Sequence, residues 1–216
     1  MKRHLANVLT LSRLVMAIAI FCLLGFYRAD RPAEGALLVN VALVLLGVAL
    51  ATDVLDGYVA RRWGSPTAFG RISDPFIDKV LVCGAFTYFV GGNFLTHTST
   101  GELVTATGMH AWMAVVVVAR EVFVTGVRGF SETRGEAFNT TVAGKAKMFF
   151  QSATIVTVLI VLGPGRSWGP WVTTTRDLLI WFTVIFSAFS ALVYVPRIRR
   201  LMAAPEASGT QSEAAE

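Results

Sequence analysis

The chain alternates long apolar runs with short polar connections. Six runs, with their flanking residues, read as helices: about 6–27, 36–62, 74–95, 108–130, 144–162 and 178–195. Each is long enough to cross roughly 30 Å of hydrocarbon. The apolar part of the first, 14–27, is too short alone, so that helix must take in Asn7, Thr10 and Arg13. The fourth carries Arg120, Glu121 and Arg128, whereas 178–195 has no charged residue at all. The expected fold class is all-α, a polytopic membrane protein with six transmembrane helices over residues 1–202. Residues 203–216, rich in Ala, Ser, Glu and Gly, read as a disordered cytoplasmic tail. No internal repeat is visible.

Composition supports this reading. The chain is 54% hydrophobic and 15% charged, with a mean hydropathy of +0.60, far from a soluble globule. The net charge of +5 could suggest nucleic acid, but the positions of the charges indicate a membrane and no nucleic-acid partner. Lys2, Arg3, Arg61, Arg62, Arg71, Lys79, Arg128, Arg134, Lys145, Lys147, Arg197, Arg199 and Arg200 fall on one side of the six-span topology. Arg28, Arg31, Arg166 and Arg176 fall on the other. Basic residues concentrate on the cytoplasmic side, so both termini are placed there. Trp168 and Trp171 suit an interfacial belt at the last outer loop. Lys2, Arg3 and His4 resemble a secretory signal, but Arg13 interrupts the run, which reads as an uncleaved first helix. Cys22 and Cys83 lie in apolar runs and read as small buried hydrophobes. The sequon at Asn139 falls on the cytoplasmic side and is discounted. His97 and His110 fall on the outer side, as loop or interfacial residues.

Four of the fourteen acidic residues share one window, in the pattern Asp53-x2-Asp56-Gly57-x2-Ala60-Arg61-x8-Gly70-x3-Asp74-x3-Asp78. Carboxylates at the edge of hydrocarbon are costly and mark a functional site. Helical spacing puts Asp53, Asp56, Gly57, Ala60 and Arg61 on one face, and Asp74 with Asp78 on another. Gly57 and Ala60 make the first face thin, and Arg61 offers a planar fork to phosphate oxygens. With no His or Cys in the window, the donor set selects Mg²⁺ or Mn²⁺. Two such ions about 4 Å apart can clamp the attacking and leaving oxygens of a phosphoryl displacement. Blander roles exist for single residues: Asp74 before Pro75 as a helix N-cap, Asp53 bridged to Arg61, Gly57 as a packing residue.

The eight-position pattern resembles the signature of the CDP-alcohol phosphotransferase family at every position. With the six spans around it, the resemblance covers about residues 5–200. It implies transfer of a phosphatidyl or related group from a CDP-linked donor to an alcohol, with release of CMP. It further implies that Asp53, Asp56 and Asp74 hold two metal ions, and that Asp78 contacts the second and takes the acceptor's proton. Gly57 and Arg61 would meet the CDP moiety, and Gly70 would pack near the nucleotide. The segment from Asn7 to Thr10, with Arg13, would frame the nucleotide, and Thr67 lies where a polar side chain assists. A homodimer is expected from the same resemblance.

Within the family, Ser73-Asp74-Pro75-x2-Asp78-Lys79, Arg120-Glu121, Arg128-Gly129 and Gly144-Lys145-x-Lys147-x3-Gln151 resemble the bacterial phosphatidylglycerophosphate synthases. That implies CDP-diacylglycerol as donor and sn-glycerol 3-phosphate as acceptor, at the cytoplasmic face of a bacterial inner membrane. The acceptor's phosphate needs cations, and Arg120, Arg128 and Lys145 are the candidates. Pairing with Glu121 is the alternative for Arg120. Lys147 reads as a contact to inner-leaflet lipid phosphates. Other acceptors, inositol phosphate or phosphatidylglycerol, would use the same chemistry. A cation transporter is the rival from another class, although its site would sit nearer the midplane.

The charge asymmetry makes a direct prediction. In a background lacking Cys22 and Cys83, a cysteine placed within 97–103 should react with an impermeant thiol reagent outside intact cells, and one within 65–68 should not. The reverse pattern would invert the topology.

Overall fold

Leu-, Val- and Ala-rich runs propagate as helices, and glycine or proline clusters mark several of the connections between them. The structure, a computed structural model, describes residues 2–63, 68–98, 100–133, 142–163 and 169–203. Of these, 2–9, 54–63, 68–75, 132–133, 142–143, 145 and 196–203 are described by backbone alone. Six long helices result: α1 (Lys2–Phe26), α2 (Ala36–Trp63), α3 (Ala68–Tyr88), α4 (Ala111–Thr133), α5 (Val142–Leu162) and α6 (Pro170–Ala203). Pro170 opens α6 at the position where a missing N–H costs nothing.

α3 is central: it packs against α1, α4 and α5, while α2 lies against α1 and α5, and α6 against α4 and α5. Two windows, Ala36–Asp53 and Pro170–Val195, are long and apolar enough to cross a membrane. Only 22% and 33% of them is buried inside the protein, too little for the core helix of a globule. Their outward faces present Leu37, Val44, Leu178, Ile185, Phe189 and Leu192.

The third helix departs from expectation at both ends. It starts at Ala68, so Asp74 and Pro75 lie within it and the N-cap role for Asp74 falls. The helix stops at Tyr88, before Gly91-Gly92, and a 3-10 turn (Gly92–Phe94) follows. Next comes an antiparallel hairpin of β1 (Leu95–His97) and β2 (Leu103–Thr105), paired Leu95 with Thr105 and His97 with Leu103. The sequence reading treated this stretch as plain loop.

The hairpin segment closes one end of the bundle by answering free carbonyls at helix ends. The Asn93 amide donates to Leu24 O at 2.8 Å and to Tyr27 O at 3.2 Å. The Thr107 hydroxyl donates to Phe89 O at 2.8 Å, and Arg176 Nη1 to Ala106 O at 2.9 Å. Tyr27 Oη reaches Leu162 O at the end of α5, 3.2 Å away. In the connection after α1, the exposed Arg28 hydrogen-bonds the exposed Asp30 and holds its carboxyl below the usual range. The buried core lies beneath this cap, around Tyr27, Phe86, Phe89, Phe94, Met109 and Met113. His97 and His110 are both exposed at this end.

Cys22 is exposed, against expectation, and Cys83 is half-buried; both are free thiols. The buried stripe of α1 is Thr10, Arg13, Ala17, Ile20 and Leu24, and position 22 falls on the far side of that helix. Of the expected tail, residues 204–216 lie outside the described residues, as do Asn139 and Trp168.

α1 and α3 approach closely at Gly84, where an added Cβ would lie 2.3 Å from the Phe21 ring. Phe21 cannot easily swing away, because it stacks on Tyr88 at 5.4 Å. Gly84→Val should therefore cost about 1–3 kcal/mol by overpacking. Gly47→Ala, with nothing within 4 Å of the added carbon, should leave stability unchanged or raised. Thermal melts of the two variants in detergent check the contrast.

Candidate active site

Asp53 ends the apolar window of α2, and Asp78 lies in α3. Both point at α1. Arg13 Nη1 bonds Asp53 Oδ1 and also donates to Asp78 Oδ1, 3.3 Å away. A single guanidinium nitrogen therefore joins the two halves of the aspartate pattern. The Arg13 side chain is 4% exposed, whereas Asp53 and Asp78 are 39% and 33% exposed. The carboxylates are thus open to an adjoining space while the cation is sealed behind them. Thr10, one turn earlier on α1, is buried on the same stripe.

That space is a cavity of about 410 Å³ between α2, α3 and α5. Arg13, Asp53 and Asp78 form its polar end, and Leu50, Leu81, Val82, Phe149 and Val156 line its body. From Phe149 to Val156 the α5 wall extends roughly 10 Å, at 1.5 Å per residue. The shape suits an amphiphile, with a charged head at the aspartates and an apolar chain along the helices.

The donor atoms also suit a hard cation. Asp53 and Asp78 offer oxygen only, and their Oδ1 atoms already converge on one positive group. Among the described residues no three His, Cys, Asp or Glu side chains gather. The backbone of Asp56 and Asp74 is helical, and their side chains lie outside the described ones. The same holds for Asn7, Gly57, Arg61, Gly70 and Lys145, and Thr67 is outside entirely.

A second polar cluster lies between α4, α5 and α6. Glu121 Oε1 accepts from Lys147 Nζ, from Gln151 Nε2 at 3.2 Å and from Arg120 Nη1 at 3.3 Å. Arg120 Nε donates to Ser190 Oγ at 2.9 Å, and Ser190 in turn donates to Ser187 O. All five side chains are buried. Lys147 is therefore not a lipid-surface contact. It stands one turn from Gln151 on the inward face of α5, where only a carboxylate could hold it. The Arg120–Glu121 pairing considered as an alternative is present. Among the described residues the cluster sets two basic side chains against one carboxylate. Arg128, two turns beyond Arg120, is half-buried. Sequence reasoning quoted Lys147 and Gln151 but missed their convergence on Glu121; their spacing of four on one helix was the available signal.

Residues 3–189 match the CDP-alcohol phosphatidyltransferase family over most of the chain's length. The chain belongs to the CDP-alcohol phosphatidyltransferase family. It is accordingly an enzyme of the transferase class, and the cation-transporter alternative falls. One relative, the CDP-diacylglycerol–glycerol-3-phosphate 3-phosphatidyltransferase of Bacillus subtilis, is 29% identical over 88% of this chain and 93% of its own. The Escherichia coli K12 protein of the same description is 28% identical over 92% and 97%. A probable phosphatidylglycerophosphate synthase of Mycobacterium tuberculosis is 35% identical over 74% and 68%. The family is generally dependent on divalent metal, in keeping with the oxygen donors found here.

The buried cluster of this transferase yields a stability prediction. Glu121→Ala would leave Lys147 and Arg120 without their carboxylate, a loss of about 3–5 kcal/mol for a broken buried pair. The double variant Glu121→Ala with Lys147→Met should recover much of it. Melting temperatures of the single and double variants in detergent test the coupling.

Proposed function

We propose that the protein transfers the phosphatidyl group of CDP-diacylglycerol to the primary hydroxyl of sn-glycerol 3-phosphate, giving phosphatidylglycerol phosphate and CMP. The observation that carries this reading is the cavity itself: an apolar groove headed by Asp53, Asp78 and Arg13. The names of the relatives supply the donor and acceptor. In this reading all six helices cross a bacterial inner membrane, with the aspartate end facing the cytoplasm. The donor enters sideways from the inner leaflet and lays acyl chain along Leu50, Leu81, Val82 and Val156. Water-soluble acceptor enters from the cytoplasm. A homodimer is the proposed working unit.

Asp53, Asp56, Asp74 and Asp78 would hold Mg²⁺ or Mn²⁺, two ions by the charge of the donor set. Bound there, the metal would neutralise the donor's diphosphate and the charge developing on departing CMP. Arg61 pairs with the diphosphate, and Gly57 lets it approach the α2 backbone. Asn7, Thr10, Thr67 and Gly70 border the nucleotide. Asp78 accepts the proton of the acceptor hydroxyl as that oxygen attacks the β-phosphorus. The new phosphorus–oxygen bond forms as the bond to CMP breaks, and positioning supplies most of the rate. Arg128 and Lys145 hold the acceptor's phosphate. Arg120 adds its charge from the cluster around Glu121.

Purified protein with CDP-diacylglycerol and a panel of acceptors tests the proposal. CMP release should be fastest with sn-glycerol 3-phosphate and weak with inositol phosphate or phosphatidylglycerol. Asp78→Asn should lower turnover at least about 10²-fold, the usual scale for losing a general base, while remaining folded. Release of CMP at the normal rate by that variant would remove Asp78 from the chemistry.

A further inference from the structure

Arg13 is a cation placed where a metal-binding site would want none. It lies on the buried stripe of α1 with Thr10, Ala17, Ile20 and Leu24. A buried guanidinium is tolerated only with a carboxylate partner, and among the described side chains Arg13 meets two, on different helices. Because one nitrogen serves both, the two Oδ1 atoms are no further apart than the sum of two hydrogen bonds. A divalent ion bridging both oxygens would stand close beside that nitrogen, within reach of strong repulsion from its charge. A +1 and a +2 charge repel at that range, so the ion and the guanidinium compete for the same two oxygens.

Resting on the metal-dependent reading above, we infer that Arg13 is a built-in counter-cation of Asp53 and Asp78. It clamps α1 to α2 and α3 until a divalent ion takes its place, and it is then released to the anionic ligand. Without a cation between them, the two carboxylates would repel across a few ångströms and the aspartate end of the bundle would loosen. Once displaced, Arg13 still borders the cavity. The donor's diphosphate is the anion that enters this space. Metal loading thereby precedes and promotes donor binding, and Arg13 sets the metal concentration at which this happens.

The experiment uses the full chain in detergent, with melting temperature read against Mn²⁺ concentration after EDTA treatment. Wild type should show a saturable rise. Arg13→Gln keeps hydrogen-bond donors without charge. It should melt lower than wild type in EDTA and approach wild type at saturating Mn²⁺. Its half-saturating Mn²⁺ should fall about tenfold or more, equivalent to ~1.4 kcal/mol. Arg13→Lys keeps the charge and should stay within about threefold of wild type, a difference under ~0.7 kcal/mol. An unchanged or raised half-saturation in Arg13→Gln would overturn the inference, as would an equal fall in Arg13→Lys. If Arg13→Gln folds only when Mn²⁺ is supplied, the inference stands; if it fails to fold in either condition, Arg13 is a metal-independent clamp and the inference is wrong. Absence of any Mn²⁺ response in wild type would instead remove the metal reading on which this rests.

Discussion

The contact of Arg13 with Asp53 and Asp78 governs the arrangement of the aspartate end. Helices α1, α2 and α3 meet there through this charged contact. Dispersion and burial organise the opposite end, around Tyr27, Phe89, Phe94 and Met109. At the site, charge must do that work. A guanidinium sealed on one side and two carboxylates open on the other is an asymmetric arrangement. It shields the cation from solvent and leaves the anions facing the cavity, where a cationic or phosphate-bearing ligand would arrive.

The Glu121 cluster solves a related problem with a different sign. Here one carboxylate receives two cations and an amide from α4 and α5, and Ser190 of α6 bonds Arg120. Such a network costs desolvation of every member, so its contribution is to register more than to stability. It fixes the rotation of α5, because Lys147 and Gln151 must face α4. That rotation in turn directs Phe149 and Val156 into the cavity wall. The polar cluster and the apolar groove are thus two faces of one helix, and neither can turn without the other.

Most of the helical plan was legible in the sequence. Apolar periodicity located all six helices, and the spacing of the aspartates showed that Asp53 and Asp78 belong to one chemical pattern. The same spacing could not reveal that Arg13, some forty residues away from Asp53, completes their surroundings. An arginine inside an apolar run signals only that some anion answers it. The helix ends were less legible: α3 runs through Asp74 and Pro75, a junction that local propensity reads as a start.

The sequence by itself determined helix number and the residue types gathered in the aspartate window, because these follow from apolar runs and spacing along one dimension. Tertiary structure alone decided which charges meet. Lys147 is buried on Glu121 and not spread on a surface, Cys22 faces outward, and a hairpin closes the end where a loop was expected. The reason is common to all three. Which face of a helix is buried depends on its neighbours, and the partner of a buried charge or a free carbonyl is chosen by proximity in space, which spacing along the chain does not encode.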